Sequence, residues 1–316
     1  MQRWGKTASG KQRFRCPECK RSSIHSRRDN ITRSNCRWFV DWLTGSNRLE
    51  NVAGSAGITV QGLLKRFKPF WQHSPQPCMP SSSPRVLVVD GITIVKRAAV
   101  ALIACDPHKR QPVSWQFVPR ESYGYWQHLF LSLKAQGVMP VYTVCDGQRG
   151  LLKALVAVWP EVKVQRCIIH VIRQAKAWLT QKPQTQAGKE LLALVRVLPH
   201  VHTRRQKRRW LRAYRHWLKR HEAFLKERSY HGKCWWYTHR KLRAVRSLLT
   251  NSLPHLFTHI GHPEVPRTSN HVEGGINSRI KDLLRVHRGL LPRHQQVMVA
   301  WYLAVRQGQK PTRQFN

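Results

Sequence analysis

Two short apolar runs, VLVVDG (residues 86–91) and VYTVCDG (residues 141–147), decide how this chain folds. Each run predicts a buried β-strand that carries one carboxylate, Asp90 in the first and Asp146 in the second. A carboxylate inside an apolar strand costs several kcal/mol unless a partner compensates it. Because the chain has only 15 acidic residues, two such placements indicate a functional site. Paired carboxylates that meet in a fold are suitable ligands for Mg²⁺, the usual agent of phosphoryl transfer.

The segments around these runs predict a mixed α/β sheet with flanking helices. Three strands in succession, VLVVDGITI, RAAVALIAC and PVSWQFV, have short connections and should pair antiparallel. Strands and helices then alternate between residues 121 and 179, which favours parallel strands with crossover helices. A right-handed crossover brings the strand of Asp146 parallel to the strand of Asp90 or close to it. Adjacent strands lie about 4.8 Å apart, so both carboxylates could share a metal ion.

The composition indicates the partner. The chain has 56 Lys+Arg against 15 Asp+Glu, a formal net charge of +41, and so basic a chain repels itself unless it sits on a polyanion. Nucleic acid is the obvious polyanion. A ribosomal-type or membrane-surface basic protein is the alternative, but 13 Trp and 41% hydrophobic residues indicate a packed core. No apolar run could span a bilayer and no G-x-x-x-x-G-K-[ST] occurs, so we expect neither a membrane partner nor a nucleotide cofactor.

The N-terminus has no apolar region typical of a signal peptide. Only Cys16 and Cys19 form a close pair among the eight cysteines. We therefore expect free thiols in a reducing compartment, which is the cytoplasm in a prokaryote.

Composition also divides the chain into segments. The predicted segments are a basic region that carries the Cys pair (1–35), a helical region (36–72), a linker rich in Pro and Ser (73–85), the sheet domain (86–182 and 266–316) and an all-helical insertion (183–265).

The helical region resembles a helix-turn-helix, in the stretch RLENVAGSAGITVQGLLKRFK. Gly57 would lie in the turn and Thr59 would cap the second helix. That helix offers Gln61, Lys65 and Arg66 to a DNA groove. An ordinary helical hairpin is the alternative, and the high positive charge favours DNA binding.

Aromatic residues recur at helical spacing in the insertion. Trp210, Tyr214 and Trp217 form a stripe that predicts core packing, with a basic face that also touches phosphates. Trp235 and Trp236 could stack on an extruded base, although core packing is the favoured interpretation.

The order strand, strand, strand, helix, strand, helix, strand, helix resembles that of RNase H-like folds. Together with Glu273 in TSNHVEGGINSRIKD, the two Asp residues resemble the catalytic triad of DDE transposases. Cys167-Ile-Ile-His170 matches the C-x-x-H motif of Mutator-like bacterial insertion-sequence transposases. The C-terminal half is similar to the subgroup with an N-terminal zinc ribbon.

This resemblance implies a DNA transposase with an RNase H-like catalytic domain. Asp90, Asp146 and Glu273 would hold two Mg²⁺ (or Mn²⁺) ions for DNA strand cleavage and strand transfer. The implied partners are double-stranded DNA, both element ends and target, and a second copy of the chain at synapsis. In the family the C-x-x-H motif lies near the active site, and its implied role for Cys167 and His170 is structural.

Glu273 has a competing interpretation. Asn270 as N-cap with Glu273 three residues later would make a capping box. The two glycines that follow disfavour a helix by about 1 kcal/mol each, so helix formation alone does not account for the stretch. Close approach of the backbone to DNA or metal would explain them.

Cys16 and Cys19 make half of a zinc ribbon, and a structural zinc site needs four ligands. The similar transposases carry an earlier C-x-x-C, which is missing here because GKTASGKQRFRC begins almost at Met1. His25 and Cys36 could substitute but are less suitable. We therefore expect no stoichiometric zinc unless further ligands complete the set.

Two other functions are compatible with the sequence. One is an RNase H-like nuclease or resolvase without strand transfer. The other is a domesticated DNA-binding protein or an inactive relic, against which the complete carboxylate set argues.

Overall fold

The structure, a computed structural model, describes residues 1–24, 27–45, 47–80 and 82–309, without the side chains of residues 27–30, 271 and 273. Its contacts divide the chain into two compact units. The N-terminal unit comprises Met1–Cys78 and Ile280–Asn316, and the sheet unit comprises Met79–Arg279.

The strands and helices of the described residues are numbered in chain order. The strands are β1 Gln2–Lys6, β2 Gln12–Arg15, β3 Ser22–Ile24, β4 Val86–Val95, β5 Ala99–Asp106, β6 Gln111–Val118, β7 Tyr142–Cys145, β8 Lys163–Arg166, β9 Arg228–His231 and β10 Cys234–Tyr237. The α-helices are α1 Arg27–Thr44, α2 Leu49–Ala56, α3 Val60–Gln72, α4 Tyr123–Ala135, α5 Arg149–Val158, α6 Ile168–Leu179, α7 Gln186–Val197, α8 Arg204–Arg220, α9 Glu222–Lys226, α10 Arg240–Leu256, α11 Ser278–Val286 and α12 Pro292–Arg306. A 3₁₀ turn covers Leu198–His200, and a π-helix covers His271–Asn277.

A five-stranded mixed sheet forms the centre of the sheet unit, in the order β6-β5-β4-β7-β8. The first three strands pair antiparallel, whereas β7 runs parallel to β4 and β8 runs parallel to β7. The predicted meander and the parallel fourth strand beside the first are thus confirmed. The register of this pair places the C-terminal end of β7 beside the middle of β4.

The two faces of β4 have different neighbours because side chains alternate along a strand. Leu87 and Val89 are fully buried in a core with Trp126 and Phe130 of α4 and Leu155 of α5. Asp90 lies on the opposite face by alternation. One face of β4 therefore packs against α4 and α5, and Asp90 projects from the opposite face.

The insertion forms a second core, built on α6, α7, α8 and α10. Trp210, Tyr214 and Trp217 are at most 3% exposed, so the predicted aromatic stripe does pack inside. The prediction of an all-helical insertion is wrong, because β9 and β10 form an antiparallel hairpin. The aromatic run CWWY favours a strand, and Gly232 takes a positive φ of 59° in the turn.

A buried glutamine ties the end of this insertion to the sheet. Gln165 of β8 is fully buried. Its Nε2 donates to the Leu256 carbonyl (3.0 Å), and its Oε1 accepts from the His259 backbone N–H (2.9 Å). Beside it, Thr258 Oγ1 donates to the Val164 carbonyl at 2.6 Å. These bonds fix where the chain leaves α10 and returns to the sheet.

The N-terminal unit includes the C-terminal helix, whereas the sequence analysis assigned residues 266–316 to the sheet domain. Trp301 of α12 is fully buried, and its ring lies 5.8 Å from that of Phe39 in α1. Its Nε1 donates to the Phe70 carbonyl at 3.2 Å. Aromatic packing against α1 and α3 thus draws α12 into this unit.

Two further boundaries differ from the sequence analysis. The helix α1 begins at Arg27 rather than near residue 36. The first part of the predicted linker is held by hydrogen bonds to residues that follow α12. The Cys78 N–H donates to Gln307 Oε1 (2.9 Å), and Gln309 Nε2 donates to the Gln76 carbonyl (2.9 Å). In the described part of the chain, no helix combines the length and apolar character that crossing a membrane requires.

The substitution Gln165→Leu should lower the free energy of unfolding by about 2–4 kcal/mol. It keeps the side-chain volume but leaves the buried Leu256 carbonyl and His259 N–H without their partner. Chemical denaturation followed by circular dichroism measures the change. Gln181→Leu, at an exposed position, is the matched control and should change stability by less than about 0.5 kcal/mol. Equal effects of the two substitutions would contradict the anchoring role.

Candidate active site

The strand register brings Asp90 and Asp146 to the same edge of the sheet. Val88 of β4 pairs with Val144 of β7, so the same register two residues later sets Asp90 opposite Asp146. Both positions have the same parity as that pair and lie on one face. Asp90 is 9% exposed, and Asp146 is half-buried directly after β7.

Asp90 is held by an amide from far along the chain. Asn277 Nδ2 donates to Asp90 Oδ2 at 2.6 Å, and both side chains are buried. A hydrogen bond to a carboxylate is stronger than one between neutral groups. Within the described residues, the buried Asn277 Oδ1 has no hydrogen-bond partner. An acceptor atom therefore remains available beside the Asp90 carboxylate.

The predicted third carboxylate belongs to the turn that Asn277 anchors. His271–Asn277 is a π-helix, rather than the α-helix that the sequence predicts from Asn270. Single π-turns occur frequently at functional sites. This segment packs against β4, so the Glu273 backbone lies near the strand of Asp90. The side chain of Glu273 lies outside the described part of the structure, and Asn270 is exposed.

Asp146 is held by its neighbours in the loop after β7. The Gln148 N–H donates to Asp146 Oδ1 at 2.9 Å, and Arg166 Nε donates to the Asp146 carbonyl at 3.0 Å. Gly147 has a φ of +82°, and a Cβ there would collide with the Arg166 guanidinium. Gly147 is therefore required both by the positive φ of this turn and by the close approach of the Arg166 side chain.

Glu121 is a further carboxylate at this edge, and the sequence analysis missed it. A Cβ on Gly91 would meet the Glu121 carboxylate, which places that group against the residue after Asp90. Burial raises the pKa of Glu121, and the negative charge of Asp146 raises it further, while Trp126 and His170 oppose the change. The available signal was an acidic residue directly before a helix in a chain with few acids.

Cys167 joins the start of α6 to the segment that leads to Glu273. The Ser269 backbone N–H and Oγ donate to Cys167 Sγ at 3.4 Å and 3.3 Å. The thiol is fully buried. Although burial opposes ionisation, hydrogen bonds from His170 and Ser269 lower the pKa of Cys167. The Ile168 N–H also donates to the Arg267 carbonyl at 3.2 Å. The first two residues of the C-x-x-H motif thus hold the segment of residues 267–269 against the start of α6.

The donor chemistry suits a hard cation. Mg²⁺ prefers carboxylate and carbonyl oxygens, and the edge offers the Asp90 and Asp146 carboxylates together with the unpartnered Asn277 Oδ1. No group of three His, Cys, Asp or Glu side chains able to hold a metal ion occurs among the described residues. The side chain of Glu273, the third member of the predicted triad, is not among these residues.

The cysteine pair of the N-terminal unit lies between β2 and β3. Hydrogen bonds from the Cys19 and Glu18 backbones and from the Cys19 side chain lower the pKa of Cys16. Cys36 is fully buried in α1, and burial raises its pKa to about 12, so it is unsuitable as a third zinc ligand. His25, the other candidate, lies outside the described residues.

The segment that resembles a helix-turn-helix forms two helices with a tight turn. α2 ends at Gly57 in the left-handed conformation, and Thr59 Oγ1 accepts from the Gly62 N–H at 3.1 Å at the start of α3. Gln61, Lys65 and Arg66 are exposed on α3. The predicted turn and cap are confirmed, and all three side chains are accessible.

With this geometry established, residues 86–231 match the model for the Mutator family of transposases. The chain contains a Mutator-family transposase domain. The matched range includes Asp90, Asp146, Cys167 and His170, and it ends before Glu273.

Several insertion-sequence transposases are similar to this chain. A probable transposase for an insertion sequence element of Corynebacterium diphtheriae is 30% identical over 112 residues, 34% of this chain and 33% of that protein. The transposase for insertion sequence element ISRM3 of Rhizobium meliloti is 26% identical over 245 residues, 74% of this chain and 55% of that protein. The matched stretch therefore spans less than two thirds of either curated relative.

Among solved structures, the Drosophila P element transposase strand transfer complex matches over 90% of this chain and 80% of that chain. The identity is 12% and the TM-score is 0.29, too low to support an inference about this chain.

The substitution Cys167→Ala should lower the stability of the transposase domain, by an amount that grows as the pH rises from 6 toward 9. The folded thiol has a pKa below its ordinary value of 9.0, so the unfolded chain binds more protons in this range and the thiolate stabilises the fold increasingly with pH. Denaturation curves of both proteins at several pH values measure the difference.

Cys145→Ala is the matched control, because burial raises the pKa of that equally buried thiol. Its deficit should stay constant up to about pH 8 and shrink above it, since only the unfolded thiol ionises as the pH approaches its ordinary value of 9.0. A constant deficit for Cys167→Ala would show that its hydrogen bonds do not favour the thiolate.

Proposed function

We propose that this chain is the DDE transposase of an insertion sequence, which binds the element ends and catalyses metal-dependent DNA cleavage and strand transfer. The single observation that carries the proposal is the register of β4 and β7 inside a Mutator-family transposase domain. It sets two carboxylates side by side on one face of the sheet, Asp90 within β4 and Asp146 directly after β7, with an amide from the π-helix of Glu273 bonded to Asp90. The order of the five strands also supports the proposed RNase H-like fold.

Asp90, Asp146 and Glu273 would hold two Mg²⁺ (or Mn²⁺) ions. Ions held by these residues would supply activation of water or of a DNA 3′-hydroxyl and stabilisation of the leaving oxygen. The protein's own contribution is positioning. Asn277 fixes the Asp90 carboxylate, and the Gln148 N–H fixes that of Asp146. The Cys167–Ser269 contact holds the segment that leads to Glu273.

DNA binding rests on charge and exposure. The formal net charge of +41 supplies the general attraction to phosphates. The exposed face of α3, with Gln61, Lys65 and Arg66, is the proposed reader of the element ends. Cleavage at two ends before joining calls for at least two copies of the chain, so a homo-oligomer at synapsis is part of the proposal.

A nuclease without strand transfer is the alternative that the same carboxylates would support. Short inverted repeats beside the gene would supply the ends for a test. Incubation of those ends with the protein, Mg²⁺ and a plasmid target separates the functions, because a transposase gives joined products and a nuclease gives cut ends alone. An inactive relic would bind the ends and give neither product.

Asp90→Asn and Asp146→Asn should each reduce cleavage of the ends by at least about a hundredfold and leave DNA binding unchanged. Changing even the outer partners of a metal ligand commonly costs ten- to a hundredfold, and a lost ligand costs more. Gel analysis of cleavage and an electrophoretic shift of the same labelled end measure the two properties.

Asp106→Asn is the matched control for both substitutions. Asp106 is also buried, but its Oδ1 accepts from the His108 and Lys109 backbone N–H groups in a turn, and an amide oxygen can replace it there. Cleavage should remain near the wild-type rate. Full activity of Asp90→Asn or Asp146→Asn would remove that residue from the site.

The double substitution Lys65→Ala and Arg66→Ala should weaken binding to the element end about tenfold and affect unrelated duplexes less. Both side chains lie exposed on α3, so the fold should remain intact. Fluorescence anisotropy with specific and scrambled duplexes measures the ratio. Arg33→Ala with Arg37→Ala on α1 is the charge-matched control, and equal losses in both double variants would place the recognition surface elsewhere.

A further inference from the structure

The β9–β10 hairpin of the insertion carries aromatic side chains that do not pack into the protein core. Trp235 of β10 is 47% exposed and Tyr230 of β9 is 68% exposed, and the two residues pair across the strands. The expectation that Trp235 packs in the core is therefore wrong. The family match ends at residue 231, so β10 lies beyond the segment that the comparison assigns.

One face of this hairpin is a ladder of alternating rings and guanidinium groups. Trp235 and Tyr237 lie on the same face at a centroid distance of 5.4 Å. The Arg228 Cζ lies 4.1 Å from the Trp235 centroid, and the Arg243 Cζ lies 3.4 Å from the Tyr237 centroid. Arg243 is also fixed by donating Nη1 to the Leu225 carbonyl at 2.7 Å. These cations are held in place before any ligand arrives.

The ladder continues into a basic cavity of about 550 Å³, which Tyr237 and Arg243 help to line. Among the described residues, its other cationic side chains are Arg215, Lys219, Lys226 and Arg246. Glu222 is the only carboxylate in the lining, and it pairs with Lys226 at 2.7 Å. Most of the positive charge in this cavity is therefore left for an external anion.

The combination of exposed rings and fixed cations selects one class of ligand. Bases stack on aromatic side chains when they are unpaired, while phosphates bind Arg and Lys in either form of nucleic acid. A fully paired duplex would use the cations and leave Trp235 and Tyr230 unused. Small anions would likewise gain nothing from the exposed rings.

We propose that the hairpin ladder (Arg228, Tyr230, Trp235, Tyr237) and the adjoining basic cavity bind an unpaired DNA strand. Bases stack on Trp235 and Tyr230, and the phosphates of the same strand enter the cavity. The proposal rests on the proposed function insofar as DNA is the substrate, and it places unpaired nucleotides of that DNA on the insertion.

The test is direct binding without divalent ions, so that cleavage does not enter. Fluorescence anisotropy with the full chain in EDTA compares a single-stranded oligonucleotide with the blunt duplex of the same sequence. Trp235→Ala should weaken single-strand binding about tenfold or more and change duplex binding less than twofold. Trp235→Phe, which keeps a ring, should recover most of the loss, and Tyr230→Ala should weaken the single strand in the same direction.

The phosphate contribution is tested by Arg215→Gln with Lys219→Gln, both exposed on α8. This double substitution should weaken binding of the single strand. It should also reduce the slope of log K against log salt concentration by about one unit per lost phosphate contact. Lys189→Gln with Arg196→Gln, both exposed on α7, removes the same charge from residues that do not line the basic cavity. It should weaken binding less and should not distinguish single strand from duplex.

The outcomes separate this proposal from the proposed function. Normal single-strand binding by both Trp235→Ala and Tyr230→Ala would overturn the ladder while leaving transposition untouched. Equal losses for single strand and duplex would also overturn it, as would tighter binding of RNA of the same sequence. Wild-type protein that binds no DNA at all would contradict both proposals, whereas ring-dependent binding without cleavage of element ends would contradict the proposed function alone.

Discussion

A buried carboxylate in the middle of a sheet is the constraint on which the arrangement of the sheet unit depends. Asp90 is 9% exposed in β4, and removing such a group from water is unfavourable unless hydrogen bonds or cations compensate it. Asn277, 187 residues later, supplies one such hydrogen bond. Because that amide must reach β4, the π-helix that carries it, and with it Glu273, is fixed against the sheet.

The same constraint explains how the unit tolerates a large insertion. The chain leaves the sheet after β8 and must return to deliver Asn277, so the return path has to be anchored where the departure occurs. Gln165 and Val164 bind the end of the insertion, and Cys167 binds Ser269 a few residues before the π-helix. The C-x-x-H motif is thus explained as a structural clamp, which does not require a catalytic thiol.

The sequence was most informative where a local pattern determined the outcome. The order and direction of the central strands followed from apolar runs and connection lengths, and the turn at Gly57 followed from its residue types. Features that depend on distant contacts were missed. Glu121 belongs to no recognisable sequence motif, and the hairpin lies between two helical segments that dominate the local pattern. The helix α12 belongs to the N-terminal unit rather than to its predicted domain because Trp301 packs on Phe39.

The charge of the chain determines when the proposed site can act. A net charge of +41 repels cations, although at physiological salt this repulsion is screened beyond about 8 Å. Arg166 lies against Gly147, next to Asp146, and is close enough to oppose a metal ion. Phosphates of bound DNA would reverse this local potential. DNA and divalent ions should then each increase the affinity for the other by the same factor, which would favour the proposed cleavage on protein already bound to DNA.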